Sequence, residues 1–319
     1  MQRYIVYILF MATLLISCER EITYDGAYEA PKLVLQVSLH EGDSAIAGAI
    51  TRSSFFLDQS NPRDRWLTDG VSIRVERGDG TVTLFTDTAL HMKQGTFLLA
   101  QQKPLQAGEI IRIQASHPDY ETVEGCDTVV YKPEVTCTAC VWDSVAGEFR
   151  IRLQFGENAR FHGVMGVQAQ IIYPSGYGFG YSYANASLQS SDPIFAVMGN
   201  TFSTEHGGFV SYYDLFFRAD DAKSKEVALV MPLNLQYYPE EDKPVGMLLI
   251  VTSYSNTSYT YRESLYSYLG LRSSDGIDIG EVAAGALGVE ETVQIYTNIT
   301  NGFGIVEAFS QTVFKEAIK

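Results

Sequence analysis

Cys137-Thr138-Ala139-Cys140 is the stretch whose residue types and spacing most directly suggest chemistry, because two thiols at this interval are the pattern of a dithiol redox centre. Such a centre needs a thiolate of low pKa, obtained by seating a cysteine at a helix N-terminus. Here Val135 to Trp142 reads as a strand with no helix after it. A structural zinc site needs four ligands, and only His117 lies near Cys126, Cys137 and Cys140 in the chain. In an oxidising compartment these three cysteines predict one disulfide and one free thiol, with the pairing left open. The other histidines, His40, His91, His162 and His206, stand far apart. There is no Gly-x-Ser-x-Gly elbow, no His-Glu-x-x-His pair and no phosphate-cradling glycine loop. Glu240-Glu241-Asp242, flanked by Pro239 and Pro244, reads as a solvated loop rather than an acid/base pair or a calcium site. The expectation is a protein that is not an enzyme and uses no metal or cofactor.

Cys18 has a different setting. Arg3 precedes an apolar run from Tyr4 to Leu15, and Leu15-Ile16-Ser17-Cys18 then gives way to Glu19, Arg20 and Glu21. A basic start, a short apolar centre and a small-residue boundary make a secretory signal; about a dozen apolar residues are too few for a hydrocarbon core that takes about 20. Leu-Ile-Ser-Cys has the form of a lipobox, in which residues 1–17 are removed and the new terminal Cys18 is acylated. An ordinary signal peptide with a chance cysteine is the alternative. Acylation makes Cys18 a membrane anchor and residues 18–30 a polar tether. The acidic residues after Cys18 loosely resemble a surface-export signal, interrupted by Arg20, which points to an outer-membrane protein displayed at the cell surface.

A binding function has one candidate stretch. Tyr173, Tyr177, Phe179, Tyr181 and Tyr183 interleave with glycines and serines. On an exposed loop these rings would form a stacking platform for a glycan or peptide, since aromatic faces bind sugar rings and amide planes at low entropic cost. As a glycine-punctuated hairpin, their alternate rings would instead pack on the core, and that is the favoured reading.

The elements that must position these residues are strands. Leu33, Leu35, Val37 and Leu39 fall on every second position, as do Val71, Ile73 and Val75, then Ile111, Ile113 and Ala115. Arg77-Gly78-Asp79-Gly80 reads as a hairpin turn, which accounts for its Arg-Gly-Asp tripeptide without an adhesive role. Phe149, Ile151, Leu153 and Phe155 open a second set of strands, and Met247 to Thr252 is apolar throughout and therefore central. One helix is predicted near 260–270, with Thr260 and Glu263 as a capping box and Gly270 as its stop. The chain closes in a hairpin turning at Asn301-Gly302. This is a mainly β protein of two β-sandwich domains. Residues 31–132 form an immunoglobulin-like or transthyretin-like first domain, and 133–319 a larger second β domain holding the short helix.

Charge narrows the partners. There are 23 Lys and Arg against 38 Asp and Glu, and loss of Arg3 with the signal takes the net charge from −15 to −16. A surface this acidic excludes nucleic acid and any basic grip on anionic lipid, so Cys18 alone must supply membrane attachment. The 20 tyrosines and 17 phenylalanines suit half-buried positions on pleated sheets.

The lipobox at Cys18, the first sandwich, the helix Tyr259-Thr-Tyr261-Arg-Glu-Ser-Leu265-Tyr-Ser-Tyr268-Leu269 and the ending Thr297-Asn298-Ile299-Thr-Asn301-Gly302-Phe303-Gly304-Ile305 together resemble a family of Bacteroidota outer-membrane lipoproteins, domain of unknown function 4249. The resemblance implies an accessory of a TonB-dependent nutrient transporter that acts by binding, and it supplies no catalytic residue. The alternative is a fimbrillin-like structural or adhesin subunit that polymerises after cleavage at a residue such as Arg52 frees a groove for a donated strand.

Overall fold

Alternation between buried and exposed residues sets the architecture, because a strand with one apolar face must lay it on another layer. The computed structural model describes residues 30–54, 65–67, 69–86, 95–157, 163–174, 180–195, 215–233, 243–272 and 295–317. Cys18 and its surroundings, Tyr177, Phe179 and Glu240 to Asp242 lie outside them.

The first sandwich is built from β1 (Leu33–Leu39), β2 (Ala45–Arg52), β3 (Ser72–Arg77), β4 (Val82–Phe85), β5 (Thr96–Ala100), β6 (Ile110–His117) and β7 (Tyr120–Thr128). The second comprises β8 (Val135–Asp143), β9 (Glu148–Phe155), β10 (Val164–Pro174), β11 (Tyr181–Ala186), β12 (Leu215–Arg218), β13 (Glu226–Pro232) and β14 (Gly246–Tyr254). A 3-10 turn (Pro193–Phe195), a short helix α1 (Ala219–Ala222), a longer helix α2 (Asn256–Arg272) and the last strand β15 (Phe303–Ala317) complete the described elements. The mainly β, two-sandwich fold expected from alternation is the fold observed.

The sandwiches share one sheet. Its order is β5-β2-β1-β15-β14-β10-β11, with β12 also on β10; β4-β3-β6-β7 and β13-β9-β8 form the facing layers. The 15-residue β15 makes this possible. Its first part pairs in parallel with β1, from Val34↔Phe303 to Leu39↔Ala308. The rest pairs antiparallel with β14, from Tyr254↔Phe309 to Gly246↔Ala317. Ile299, Val306 and Ala308 therefore lie in the first core beside Leu33, Leu35 and Ile113, so that core draws on residues well beyond 31–132. The second core gathers Ile151, Leu153, Val167, Leu229, Leu249 and Val251.

The linker between the sandwiches is fastened along β15. Ser310 Oγ donates to Val130 O at 2.8 Å, and Thr312 Oγ1 donates to Pro133 O at 2.8 Å.

Three local expectations change. α2 starts at Asn256, four residues before Thr260, because Ser255 is its cap: Ser255 Oγ accepts the Ser258 N–H at 3.0 Å, and Ser255 O accepts the Tyr259 N–H at 2.9 Å. The helix also runs past Gly270 to Arg272. The closing hairpin is replaced by a different device among the described residues. The Asn298 amide accepts from Val306 N–H at 3.0 Å and donates to Val306 O at 2.8 Å and Cys126 O at 2.9 Å, doing with a side chain what a partner strand would do. Thr300 then bridges to Glu124 on β7.

Candidate functional site

The described residues of the tyrosine stretch lie on β10 and β11, which pair antiparallel. The register pairs Tyr173 with Ser182, Ile172 with Tyr183 and Pro174 with Tyr181. Residues directly opposite share a face, so the register parts the rings. Tyr173 turns inward and packs, half-buried, on the second core. Tyr181 and Tyr183 stand on the outer face, 58% and 53% exposed. Tyr173 is therefore parted from Tyr181 and Tyr183, and the expectation that alternate rings of this stretch pack inward holds for Tyr173 but fails for Tyr181 and Tyr183. Separation follows from the register, which aligns odd-numbered residues of β10 with even-numbered residues of β11.

The outer face continues across the sheet. Asn185 opposes Gln170, Gln170 opposes Leu248, and Leu248 opposes Lys315. In the next row Gln168, Ile250 and Val313 line up. The Lys315 ammonium lies 5.6 Å from the Tyr181 ring centre, and Gln170 Nε2 donates to Asn185 Oδ1 at 3.1 Å. Ile172, only 1% exposed, is the apolar floor beside Tyr183. Rings, primary amides and one ammonium on one sheet face suit stacking and hydrogen bonding rather than bond making. Sequence reading found Tyr181 and Tyr183; it missed Gln170, Asn185 and Lys315, because register alone brings them alongside.

A second feature is a cleft of about 300 Å³ where the sandwiches meet, lined by Asp127, Thr128, Tyr131, Tyr254, Ser255 and Asn256 among others. Asp127 is buried at its wall. Its Oδ2 accepts from Ser255 Oγ at 2.5 Å and from Ala308 N–H at 2.7 Å, and its Oδ1 accepts from Thr128 N–H at 2.8 Å. Burial outweighs these donors and pushes the carboxyl up to about 6. Ser255 is spoken for by Asp127 and by the Ser258 N–H it accepts, and no histidine is among the described residues that line the cleft, so the pair serves as a clamp tying β7, β15 and the start of α2. A carboxyl whose folded pKa exceeds its unfolded value favours folding when protonated, and that contribution is lost as pH rises through about 6. We expect chemical denaturation to show the difference in stability between Asp127→Asn and the unaltered chain shifting toward the variant by about 1 kcal/mol from pH 5 to pH 7. A pH-independent difference would count against this assignment.

The cysteines depart from expectation. Cys126, Cys137 and Cys140 are all free. Burial raises the Cys137 thiol and pushes the Cys140 thiol up to about 12, opposite to the low pKa of a redox dithiol. The Arg77-Gly78-Asp79 turn is likewise closed to a receptor through its arginine, because the Arg77 guanidinium is buried against Glu109.

Among the described residues no helix is long and apolar enough to cross a membrane. The family model described as Domain of unknown function (DUF4249) matches residues 19–315. No curated protein matches. Among solved structures, the chain is similar to the two fibronectin type-III domain segment from chicken tenascin, at 10% identity and a TM-score of 0.19, over 71% of this chain and 91% of that one. It is also similar to a marsupial T cell receptor, at 10% identity and a TM-score of 0.22, over 70% of this chain and 67% of that one.

Proposed function

We propose that this chain, which belongs to the family described as domain of unknown function 4249, is a lipid-anchored outer-membrane protein that binds a ligand beside a TonB-dependent transporter. Acylated Cys18 holds it on the membrane, facing the cell surface, and the tether to residue 30 carries the first sandwich. Its role is capture of a glycan or peptide rather than catalysis. The observation that supports this reading best is the sheet face bearing Tyr181 and Tyr183, whose rings are more than half exposed, together with Asn185, Gln170 and Lys315. β15 joins the sandwiches through continuous hydrogen bonding, so a ligand held on the second sandwich keeps a fixed position relative to the anchored first one.

Affinity capture of the Cys18-anchored protein from solubilised outer membranes, followed by mass spectrometry, tests the partnership. One stoichiometric TonB-dependent transporter is the expected companion. Recovery of the chain alone, or as a ladder of its own multimers, would remove this reading and favour the fimbrillin-like alternative. On arrays of glycans and peptides, Tyr181→Ala/Tyr183→Ala should lose at least about tenfold in retention, since one stacked ring contributes on the order of 1 kcal/mol. Its thermal unfolding should stay close to that of the parent, because both rings are exposed. Retention that survives the double substitution would move the ligand site elsewhere.

A further inference from the structure

The second sandwich holds a group of sulfur atoms for which ligand capture has no use. A β-bulge between Cys137 and Ala139 sets Cys137 opposite Leu153 and Cys140 opposite Ile151, two neighbouring same-face positions of β9. Both thiols therefore point to the inner face and pack on the second core with Val135 and Trp142. Same-face neighbours on one strand lie about 6.6 Å apart with nearly parallel Cα–Cβ bonds, whereas a disulfide needs its Cβ atoms within about 4.5 Å. The bulge thus makes the cysteines neighbours without letting them bond.

A third sulfur comes from the opposite layer. Met247 on β14 places its Sδ 3.6 Å from Cys140 Sγ. For metal–sulfur bonds of about 2.3 Å, donors 3.6 Å apart subtend an angle of about 103° at a shared ion, close to tetrahedral. Glu316 opposes Met247 in register, and after burial its charge is a further cause of the raised thiols. Among the described residues no three His, Cys, Asp or Glu side chains are placed to hold a metal, so an ion here would rest on the two thiols and the thioether.

We propose that Cys137, Cys140 and Met247 form a binding site for a soft monovalent metal ion of the copper(I) class. Two thiols and a thioether select copper(I), while magnesium, calcium and manganese want oxygen and zinc wants four ligands. Binding exchanges the thiol protons for the ion and releases them to solvent, with no change of oxidation state. Cys137 and Cys140 are half-buried and Met247 is fully buried, so an ion would enter from the cysteine side.

The test is an anaerobic titration of the reduced, acylated chain in detergent with copper(I), in competition with bicinchoninate. One copper(I) per chain should be withdrawn from the chelator, with a sulfur-to-copper ultraviolet absorption band. Cys140→Ser should weaken binding about 100-fold and Met247→Leu about 10-fold, whereas Cys126→Ser, at an exposed thiol outside the site, should leave it unchanged. Zinc(II) in the same assay should not be retained. Should Cys140→Ser fail to fold by circular dichroism, Met247→Leu, which keeps the core volume, and Cys137→Ser decide the matter. Failure to withdraw copper(I), binding indifferent to the substitutions, or a thiol count showing Cys137 and Cys140 joined to each other in freshly purified protein would each overturn the proposal.

Discussion

Replacing Gly304 by alanine is expected to cost about 4 kcal/mol or more, enough to remove most of the net stability of a protein whose margin is about 5–15 kcal/mol. Gly304 sits on β15 opposite Leu35, with φ at +106°. A Cβ there would stand 2.0 Å from the Leu35 carbonyl oxygen and 2.7 Å from its carbon, which are backbone atoms held in the central pairing of the sheet. Left-handed strain alone costs an alanine about 1 kcal/mol, and the collision adds several times that because neither strand can withdraw without breaking the ladder. Gly42 provides the comparison. Its φ is +87° but nothing lies within 4 Å of its would-be Cβ, so Gly42→Ala should cost only about 1 kcal/mol. Urea unfolding of both variants reads the difference. Equal losses would mean that β1 and β15 are not held as closely as the geometry requires.

Arg77→Ala should be nearly as damaging, at about 3–5 kcal/mol, because it strands a buried carboxylate. The guanidinium grips Glu109 bidentately, Nε to Oε1 at 2.6 Å and Nη2 to Oε2 at 2.6 Å, and also donates to Lys103 O at 2.7 Å and Pro104 O at 3.1 Å. Both side chains are nearly enclosed, with 9% and 12% exposure. The Arg77 hydrogen bonds hold the Glu109 carboxyl below its ordinary range. Losing the arginine leaves two carbonyls without their donor and that charge with only the Gln106 N–H, at 3.2 Å. The double variant Arg77→Met/Glu109→Leu should recover more than half of the loss, since an apolar pair needs no compensation. A thermal scan in which the double variant is no better than Arg77→Ala would show that the lost carbonyl contacts, rather than the orphaned charge, dominate.

Local alternation settled much of this protein in advance. Leu33, Leu35, Val37 and Leu39 point inward because a strand turns every second side chain to one face, and the same period marked Ile151 and Leu153 on β9 and the inner face of β6. The bias toward strands, the place of the central strand Met247 to Thr252 and the acidic charge needed nothing beyond residue order. The proposed acylation of Cys18 is likewise a reading of the sequence alone.

Tertiary structure decided which residues meet. Ser255 displaced Thr260 as the helix cap because Asp127 and the Ser258 N–H fix its hydroxyl. Tyr173 and Tyr181 share a parity in the chain but lie on opposite faces, because the hairpin register pairs Tyr173 with Ser182. Cys126, Cys137 and Cys140 read alone as one disulfide and one free thiol; the bulge gives Cys137 and Cys140 one face, and Met247, 107 positions from Cys140, supplies the third sulfur of the proposed site. The ending around Asn298 and Gly304 looked like a hairpin because turn residues are local signals, whereas β15's partners β1 and β14 are chosen by closure of two cores at once. Side-chain direction is a property of adjacent residues and is written in the sequence; strand partnership depends on burying apolar faces far apart in the chain, and only the folded protein determines it.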